Sequence, residues 1–285
     1  MSQNFKRFLK IILIFLMFAV LFSGILLVID FFRNSAEEGN LTSGDEYLFL
    51  LGGVDSTGEK EGTRTDTLML VKVDEGDNSI DLISIPRDSL VYINGSMDKI
   101  NAAHSYGGID LTMETIREFL GIDLSKYLVI SFEGVRKAID ALGGVDIEVS
   151  EDVAYAMDIE PGIHHFNGDE ALNYVRFRKG YNNADLGRID TQQDFMGQLI
   201  KEATKMKNLP KLPLAYLAAR AHIETNIPFS KLVSLGMSLK KVNKEDINKV
   251  KLYGEVVDID GISYYDIYDE SIEEIRRDYL YNFAY

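Results

Sequence analysis

Residues 11–29 read IILIFLMFAVLFSGILLVI, nineteen residues without a charge. A helix rises about 1.5 Å per residue, so this run spans roughly 28 Å, the depth of a bilayer core. It exceeds the ~7–15 apolar residues of a cleaved signal peptide and leads into Asp30-Phe31-Phe32-Arg33 instead of a small-residue cleavage site. An uncleaved anchor over residues 11–32 is therefore expected. Lys6, Arg7 and Lys10 precede it, which keeps residues 1–10 cytoplasmic by the positive-inside rule. Residues 33–44, polar and small, then serve as a linker, and residues 45–285 form one extracytoplasmic domain at the cell membrane.

Charge narrows the function classes. Of 30 basic and 45 acidic residues, four basic and one acidic fall in the first 33, so the body carries 26 against 44. An acidic body suits no nucleic-acid partner, since such binding rests on phosphate neutralisation. The chain has no cysteine. That removes disulfides, thiolate-bound metals and thiol nucleophiles from consideration. The four histidines show no H-E-x-x-H spacing, and no Walker A, G-x-G-x-x-G or G-x-S-x-G motif occurs.

From Tyr47 short strands and helices alternate. YLFLLG, DTLMLVKV and SIDLISI read as strands, with a turn at Asp74–Asn78 and a stop at Pro86. LTMETIREFLGI and SFEGVRKAIDALGG have helical spacing and end at Gly121 and Gly143-Gly144. KYLVI and VDIEV are further strands. A long amphipathic helix is expected from about Asp185 to Lys207, with Leu186, Ile189, Met196, Leu199 or Ile200, Ala203 and Met206 as its buried stripe. A helix near 229–240, a strand at VKLYGEV, a hairpin at IDGISYYDI and a closing helix SIEEIRRDYL complete the chain. The order predicts an α/β class, a mixed central β-sheet flanked by helices in an α-β-α sandwich, preceded by one transmembrane helix.

Three clusters carry candidate chemistry. If the first three strands pair antiparallel, Asp55, Arg64, Asp66, Arg87 and Asp88 converge at one sheet end. Carboxylates beside arginines suit a hard divalent cation together with a phosphate ester. The same residues also fit a solvated loop with surface ion pairs. The second cluster is Y-V-R-F-R-K, where an extended backbone puts Arg176 and Arg178 on one face and Val175 and Phe177 on the other. An amphipathic edge strand explains the same pattern. In the third, Asp185, Arg188 and Gln192 open the long helix, where the dipole assists anion binding and Asp185 also fits an N-cap. Lys99 is a possible phosphate donor or a solvated loop lysine. His164 and His165 read as polar loop residues.

Together these stretches resemble the LytR–CpsA–Psr (LCP) family of bacterial cell-envelope proteins. The matching segments are LLGGVDS, RTDTLMLV, ISIPRDS, DKINAAHSYGG, FEGVRKAIDALGGVDIEV, HFNGDEALNYVRFRK and DLGRIDTQQDFMGQLI, in family order over about residues 47–207. A short cytoplasmic tail and a single anchor are typical of it too. The resemblance implies a membrane-anchored phosphotransferase. Such an enzyme moves a glycopolymer, wall teichoic acid or a capsular polysaccharide, from a polyprenyl-pyrophosphate carrier onto peptidoglycan. It implies Mg²⁺, or Mn²⁺, held by Asp55 and Asp66. Arg87, Arg176, Arg178 and Arg188 clamp phosphates, with Lys99 and Gln192 assisting. Asp185 orients the arginines or helps activate the acceptor hydroxyl, and Asp88 is structural. One departure stands out: the family often reads R-x-x-R-Q-Q in the long helix, and the second arginine is Thr191 here.

A polyprenyl chain also needs an apolar groove. Phe119, Leu120, Phe132 and Val135 on the middle helices, or Phe195 and Leu199 on the long one, are the candidates, and each also suits ordinary core. A hydrolase of the same lipid pyrophosphate would use the same metal and arginines. A membrane-bound transcriptional attenuator is the remaining alternative, but an acidic domain facing outward is badly placed to touch DNA.

Overall fold

The first three strands run as an antiparallel meander. Strand β1 (Glu46–Val54) pairs with β2 (Thr65–Asp74), and β2 with β3 (Ser79–Ile85). Asp74 closes the β2–β3 turn, its carboxylate accepting from the Gly76 and Asp77 amides at 2.9 and 3.0 Å. The computed structural model describes residues 46–55, 63–176, 184–205, 207–238, 242 and 244–285. The apolar run at 11–29 lies outside them, and no helix among the described residues is long and apolar enough to cross a membrane.

Parallel strands extend the meander on both sides. Strand β6 (Tyr127–Ser131) joins β1, and β10 (Ile247–Lys251) joins β3. Antiparallel β9 (Ile223–Thr225) completes the order β10-β3-β2-β1-β6-β9. Helices cover both faces, so the central strands are near-continuous apolar runs. Leu48, Leu50, Leu68, Leu70 and Ile83 bury one face with α1 (Ala102–Leu120) and α8 (Asp269–Asp278). Tyr47, Leu51, Met69, Val71 and Leu82 bury the other with α5 (Ala184–Thr204) and α7 (Phe229–Ser238). A further cluster on that second side joins α2 (Phe132–Leu142), α3 (Glu151–Met157), α4 (Gly168–Arg176) and the hairpin β7 (Val145–Val149)–β8 (Gly162–Phe166). Helix α6 (Leu212–Ala219) packs on α2. Two hairpins, β4 (Leu90–Ile93)–β5 (Ser96–Lys99) and β11 (Gly254–Ile259)–β12 (Ile262–Ile267), lie beside the first face. The expected mixed sheet between helical layers is the architecture found.

Glycine ends the two middle helices as their sequences predict. Gly121 (φ 63°) and Gly143 (φ 89°) take the left-handed conformation in which their amides donate to otherwise unpaired carbonyls of the last helical turn. Ser131 starts α2 by accepting from the Gly134 amide at 3.2 Å.

Three local expectations are corrected. Helix α1 begins at Ala102, nine residues before the LTMETIREFL segment, because Ala102, Ala103 and His104 already bury against the core. Helix α4 takes in Tyr174, Val175 and Arg176, where an extended strand was expected. Its reason is a capping box: Asn167 Oδ1 accepts from the Glu170 amide at 3.0 Å, and Glu170 accepts from the Asn167 amide at 2.8 Å. Ala171 and Tyr174 are then buried at helical spacing, which overrides the two-residue alternation. Helix α5 carries its burial on Gln193, Phe195 and Glu202, while Met196, Leu199 and Ile200 of the expected stripe are only partly buried and the side chains of Leu186, Ile189 and Met206 lie outside the described residues. Gln193 donates to the Leu82 and Val250 carbonyls at 3.1 and 2.8 Å, a tie from the helix to β3 and β10.

His165 links the β7–β8 hairpin to the end of α2. Its Nδ1 lies 2.7 Å from Asp146 Oδ1 and its Nε2 3.0 Å from the Gly143 carbonyl. Both partners only accept, so a doubly protonated ring satisfies both. The Asp146 hydrogen bond, followed by the Gly143 carbonyl, raises the His165 pKa above its ordinary value. This stabilisation is complete below the unfolded-state pKa of about 6.5 and is lost as pH rises through the higher folded-state value. The ring is largely exposed, so the effect is well under about 1 kcal/mol. Melting curves from pH 6 to 9 should therefore slope gently downward, and H165Q should flatten that slope. An unchanged slope in H165Q would assign it elsewhere.

Candidate active site

The antiparallel meander brings the first cluster together as its strand order requires. Strand β1 ends beside Asp55, β2 starts at Thr65, and β3 returns to deliver Arg87 and Asp88. A register shift separates the pairs Gly53–Thr67 and Val54–Thr65, leaving Asp66 as the extra residue of a bulge. Bulges re-aim side chains at sheet ends. The Asp66 carboxylate meets Arg87 Nη1 at 2.9 Å, with both side chains 24% exposed. Arg87 Nε lies 3.8 Å from Asp88, and Asp88 accepts from Lys99 Nζ at 3.1 Å. Charges therefore alternate along the edge: Asp66, Arg87, Asp88, Lys99. Asp55 is exposed at the tip of β1.

Backbone hydrogen bonds hold Arg87 in place. Ser89 Oγ donates to the Pro86 carbonyl at 2.5 Å, the Ile100 amide to Ser89 at 2.9 Å, and the Asn101 amide to the Arg87 carbonyl at 3.2 Å. The segment before α1 is thus stitched to the segment after β3. Lys99 is accordingly the last residue of strand β5, in an ion pair with Asp88, and not a solvated loop lysine. Asp88, expected to be structural, makes that bond.

Sequence reasoning passed over His104. It is buried, and its Nδ1 lies 2.7 Å from the Thr63 carbonyl, pinning the backbone three residues before Asp66. Nothing in its spacing signals this, because the contact spans 41 residues.

The second and third clusters are placed by backbone. Arg176 is the last residue of α4. Helix α5 begins at Ala184, so Asp185 stands inside its first turn and not at the cap position. There the dipole favours an acid. Arg188, Thr191 and Gln192 follow on the same helix. Arg178 and Phe177 lie outside the described residues, as do the side chains of Arg176, Asp185, Arg188, Thr191 and Gln192.

An apolar cavity opens next to the charged edge. Leu51, Gly53, Thr67 and Met69 of the sheet line it, with Phe132 and Val135 of α2, Leu172 and Val175 of α4, and Phe195 and Met196 of α5. Its empty volume, open solvent included, is about 530 Å³. Of the expected groove residues, Phe132, Val135 and Phe195 line it. Phe119 and Leu120 instead pack in the core of the opposite sheet face, and Leu199 packs against the cluster around α2. Gly53 stands two residues before Asp55, and Thr67 immediately after Asp66. The apolar wall therefore runs straight into the acid–arginine edge.

Among the described residues no group of three or more His, Cys, Asp or Glu side chains is placed to hold a metal ion. Asp55 and Asp66, both at this sheet end, are oxygen donors of the kind Mg²⁺ takes. That ion commonly takes one or two protein carboxylates and completes its shell with phosphate oxygens and water.

The apolar cavity thus borders an edge that carries Asp66, Arg87, Asp88 and Lys99. The LytR_cpsA_psr family model matches residues 32–279, and the chain belongs to that family. It is 33% identical over 223 residues to the polyisoprenyl-teichoic acid–peptidoglycan teichoic acid transferase TagV of Bacillus subtilis (strain 168). That match covers 72% of this chain and 57% of TagV, so the chain spans little more than half of that relative. It is 30% identical over 249 residues to the corresponding transferase TagU of Bacillus mycoides (strain KBAB4), covering 86% of this chain and 81% of TagU. The crystal structure of B. subtilis TagV superposes with a TM-score of 0.71 at 29% identity, over 83% of this chain and 96% of that one.

Proposed function

We propose that this protein transfers a glycopolymer from a polyprenyl-pyrophosphate carrier to peptidoglycan, a reading supported by its similarity to TagV and TagU, which are named polyisoprenyl-teichoic acid–peptidoglycan teichoic acid transferases. One observation carries the reading: Gly53 and Thr67 line the apolar cavity, and they stand within two residues of Asp55 and Asp66 along the chain. A lipid tail and a pyrophosphate head need those two environments in contact. The acceptor hydroxyl oxygen attacks the glycan-bearing phosphorus. The bond from that phosphorus to the bridging oxygen breaks, and polyprenyl monophosphate departs. The hydroxyl proton passes to solvent, and a phosphodiester remains. A phosphoryl group in transfer spreads negative charge over its oxygens, so positioning and electrostatic stabilisation supply the catalysis.

In this reading Arg87 faces the phosphates and is held ready by Asp66 and Asp88. Arg176 follows directly on Val175 of the cavity wall, and Arg188 lies seven residues before Phe195. Arg178, Lys99 and Gln192 complete the phosphate contacts, and Asp185 supports the arginines. Asp55 and Asp66 hold Mg²⁺, which when bound neutralises charge on the pyrophosphate. Residues 11–32 anchor the chain in the membrane, with the domain outside, where carrier lipid and peptidoglycan meet.

The test is transfer of a polyprenyl-pyrophosphate-linked glycan to peptidoglycan by the full chain, using carriers of different length. V135W fills the cavity. It should raise KM for a long-chain carrier by at least about tenfold, since losing the burial of two methylenes costs about 1.6 kcal/mol. A short-chain carrier should be far less affected. Equal turnover of both carriers by V135W and the unmodified chain would remove the lipid from this cavity.

A further inference from the structure

The charged edge continues beyond Lys99 onto a surface the lipid reading leaves unused. Asp98 Oδ2 accepts from the Tyr106 hydroxyl at 2.5 Å, and its Oδ1 accepts from the Lys99 amide at 2.7 Å. Lys99 Nζ, paired with Asp88, stands 5.9 Å from the centre of the Tyr264 ring. Tyr106 is 58% exposed, although much of α1 is buried. A break in the helix accounts for this. Gly107 (φ −149°, ψ 21°) and Gly108 (φ 64°, ψ −154°) leave helical geometry immediately after it. A Cβ on Gly107 would lie 2.7 Å from Leu111 Cβ, so the bend tolerates no side chain there. The first turn of α1 is thereby re-aimed, and Tyr106 presents a ring fixed at its hydroxyl by a carboxylate.

A flat aromatic face beside a carboxylate suits a pyranose. The ring's C–H face packs on the aromatic, and its hydroxyls bond to the carboxylate. Position adds a second reason. The cavity lies on the sheet face of Leu51, Met69 and Phe195. Hairpin β4–β5 and the start of α1 lie on the other face, with Val91, Ile93, Ile100 and Ala102 in its core. Asp66 and Arg87 stand at the edge between. In-line phosphoryl transfer brings the nucleophile in opposite the leaving group. A leaving polyprenyl phosphate drawn toward the cavity puts the incoming hydroxyl on the Tyr106 side.

We propose that Tyr106 and Asp98 form the acceptor subsite and bind a sugar ring of the peptidoglycan glycan strand. This rests on the transfer reading above. The test uses the full chain in detergent, a polyprenyl-pyrophosphate-linked glycan as donor, and soluble uncrosslinked peptidoglycan strands as acceptor. Y106A should raise the acceptor KM by about tenfold, the scale of one good aromatic contact, without raising the donor KM. Y106F keeps the ring and should fall between. Y155A, which removes a tyrosine 90% exposed on α3, should match the unmodified chain. Calorimetric binding of the strands, with no donor present, should weaken most in Y106A, less in Y106F and not in Y155A. An unchanged acceptor KM in Y106A, or a rise confined to the donor KM, would overturn the assignment. Failure of the unmodified chain to transfer at all, with the strands still bound through Tyr106, would overturn the transfer reading and leave the sugar site standing.

Discussion

Asparagine at both Asp55 and Asp66 should reduce transfer by more than about 10³-fold, equivalent to roughly 4 kcal/mol of transition-state stabilisation. Asparagine keeps the size of the side chain and removes the charge a hard cation requires. Both residues stand at strand ends outside the three core clusters. The Asp66–Arg87 pair is partly solvated, so its loss should cost at most about 1 kcal/mol of stability. Thermal melts of the double variant should therefore stay close to those of the unmodified chain. Chelator should reproduce the loss, and added Mg²⁺ or Mn²⁺ should restore the unmodified chain but not the variant. Full turnover in chelator would eliminate the metal and leave the two carboxylates as partners of the arginines alone.

Arg87 should be nearly as sensitive. R87A removes the guanidinium that bridges Asp66 and Asp88 and should cost about 10²–10³ in rate, or roughly 3–4 kcal/mol. R87K retains the charge but loses the planar fork that meets two oxygens at once, so it should recover only a minor part of the activity. The Arg87 backbone is held by the Asn101 amide independently of its side chain. Either variant should therefore fold, with melting shifted by no more than a surface ion pair is worth. Near-normal transfer by R87A would place the pyrophosphate elsewhere on the sheet edge.

Local signals made much of this site legible. The strand–turn–strand pattern around Asp74 and the stop at Pro86 were enough to bring Asp55, Asp66, Arg87 and Asp88 to one end, because antiparallel neighbours can return only that way. Glycine ended α1 and α2 because a left-handed residue is needed there whatever the surroundings. Period-two alternation misread Tyr174-Val175-Arg176, since the Asn167–Glu170 capping box and the burial of Ala171 and Tyr174 decide that segment together. The hairpin of β4 and β5, joined by Asn94-Gly95, had its turn signal in the sequence and was passed over beside the basic and acidic residues around it.

Residue chemistry and spacing by themselves determined the class of sheet, the convergence of Asp66, Arg87 and Asp88, and membership in a family whose motifs keep their order along the chain. Only the tertiary structure decided which phenylalanines are core and which line the cavity. Phe119 and Phe132 look alike in sequence, yet they lie on opposite faces of one sheet. The tie from His104 to Thr63 and the seating of Lys99 on Asp88 were equally invisible. A periodic pattern records that a residue turns inward, and the partner it meets there is set by how distant segments pack.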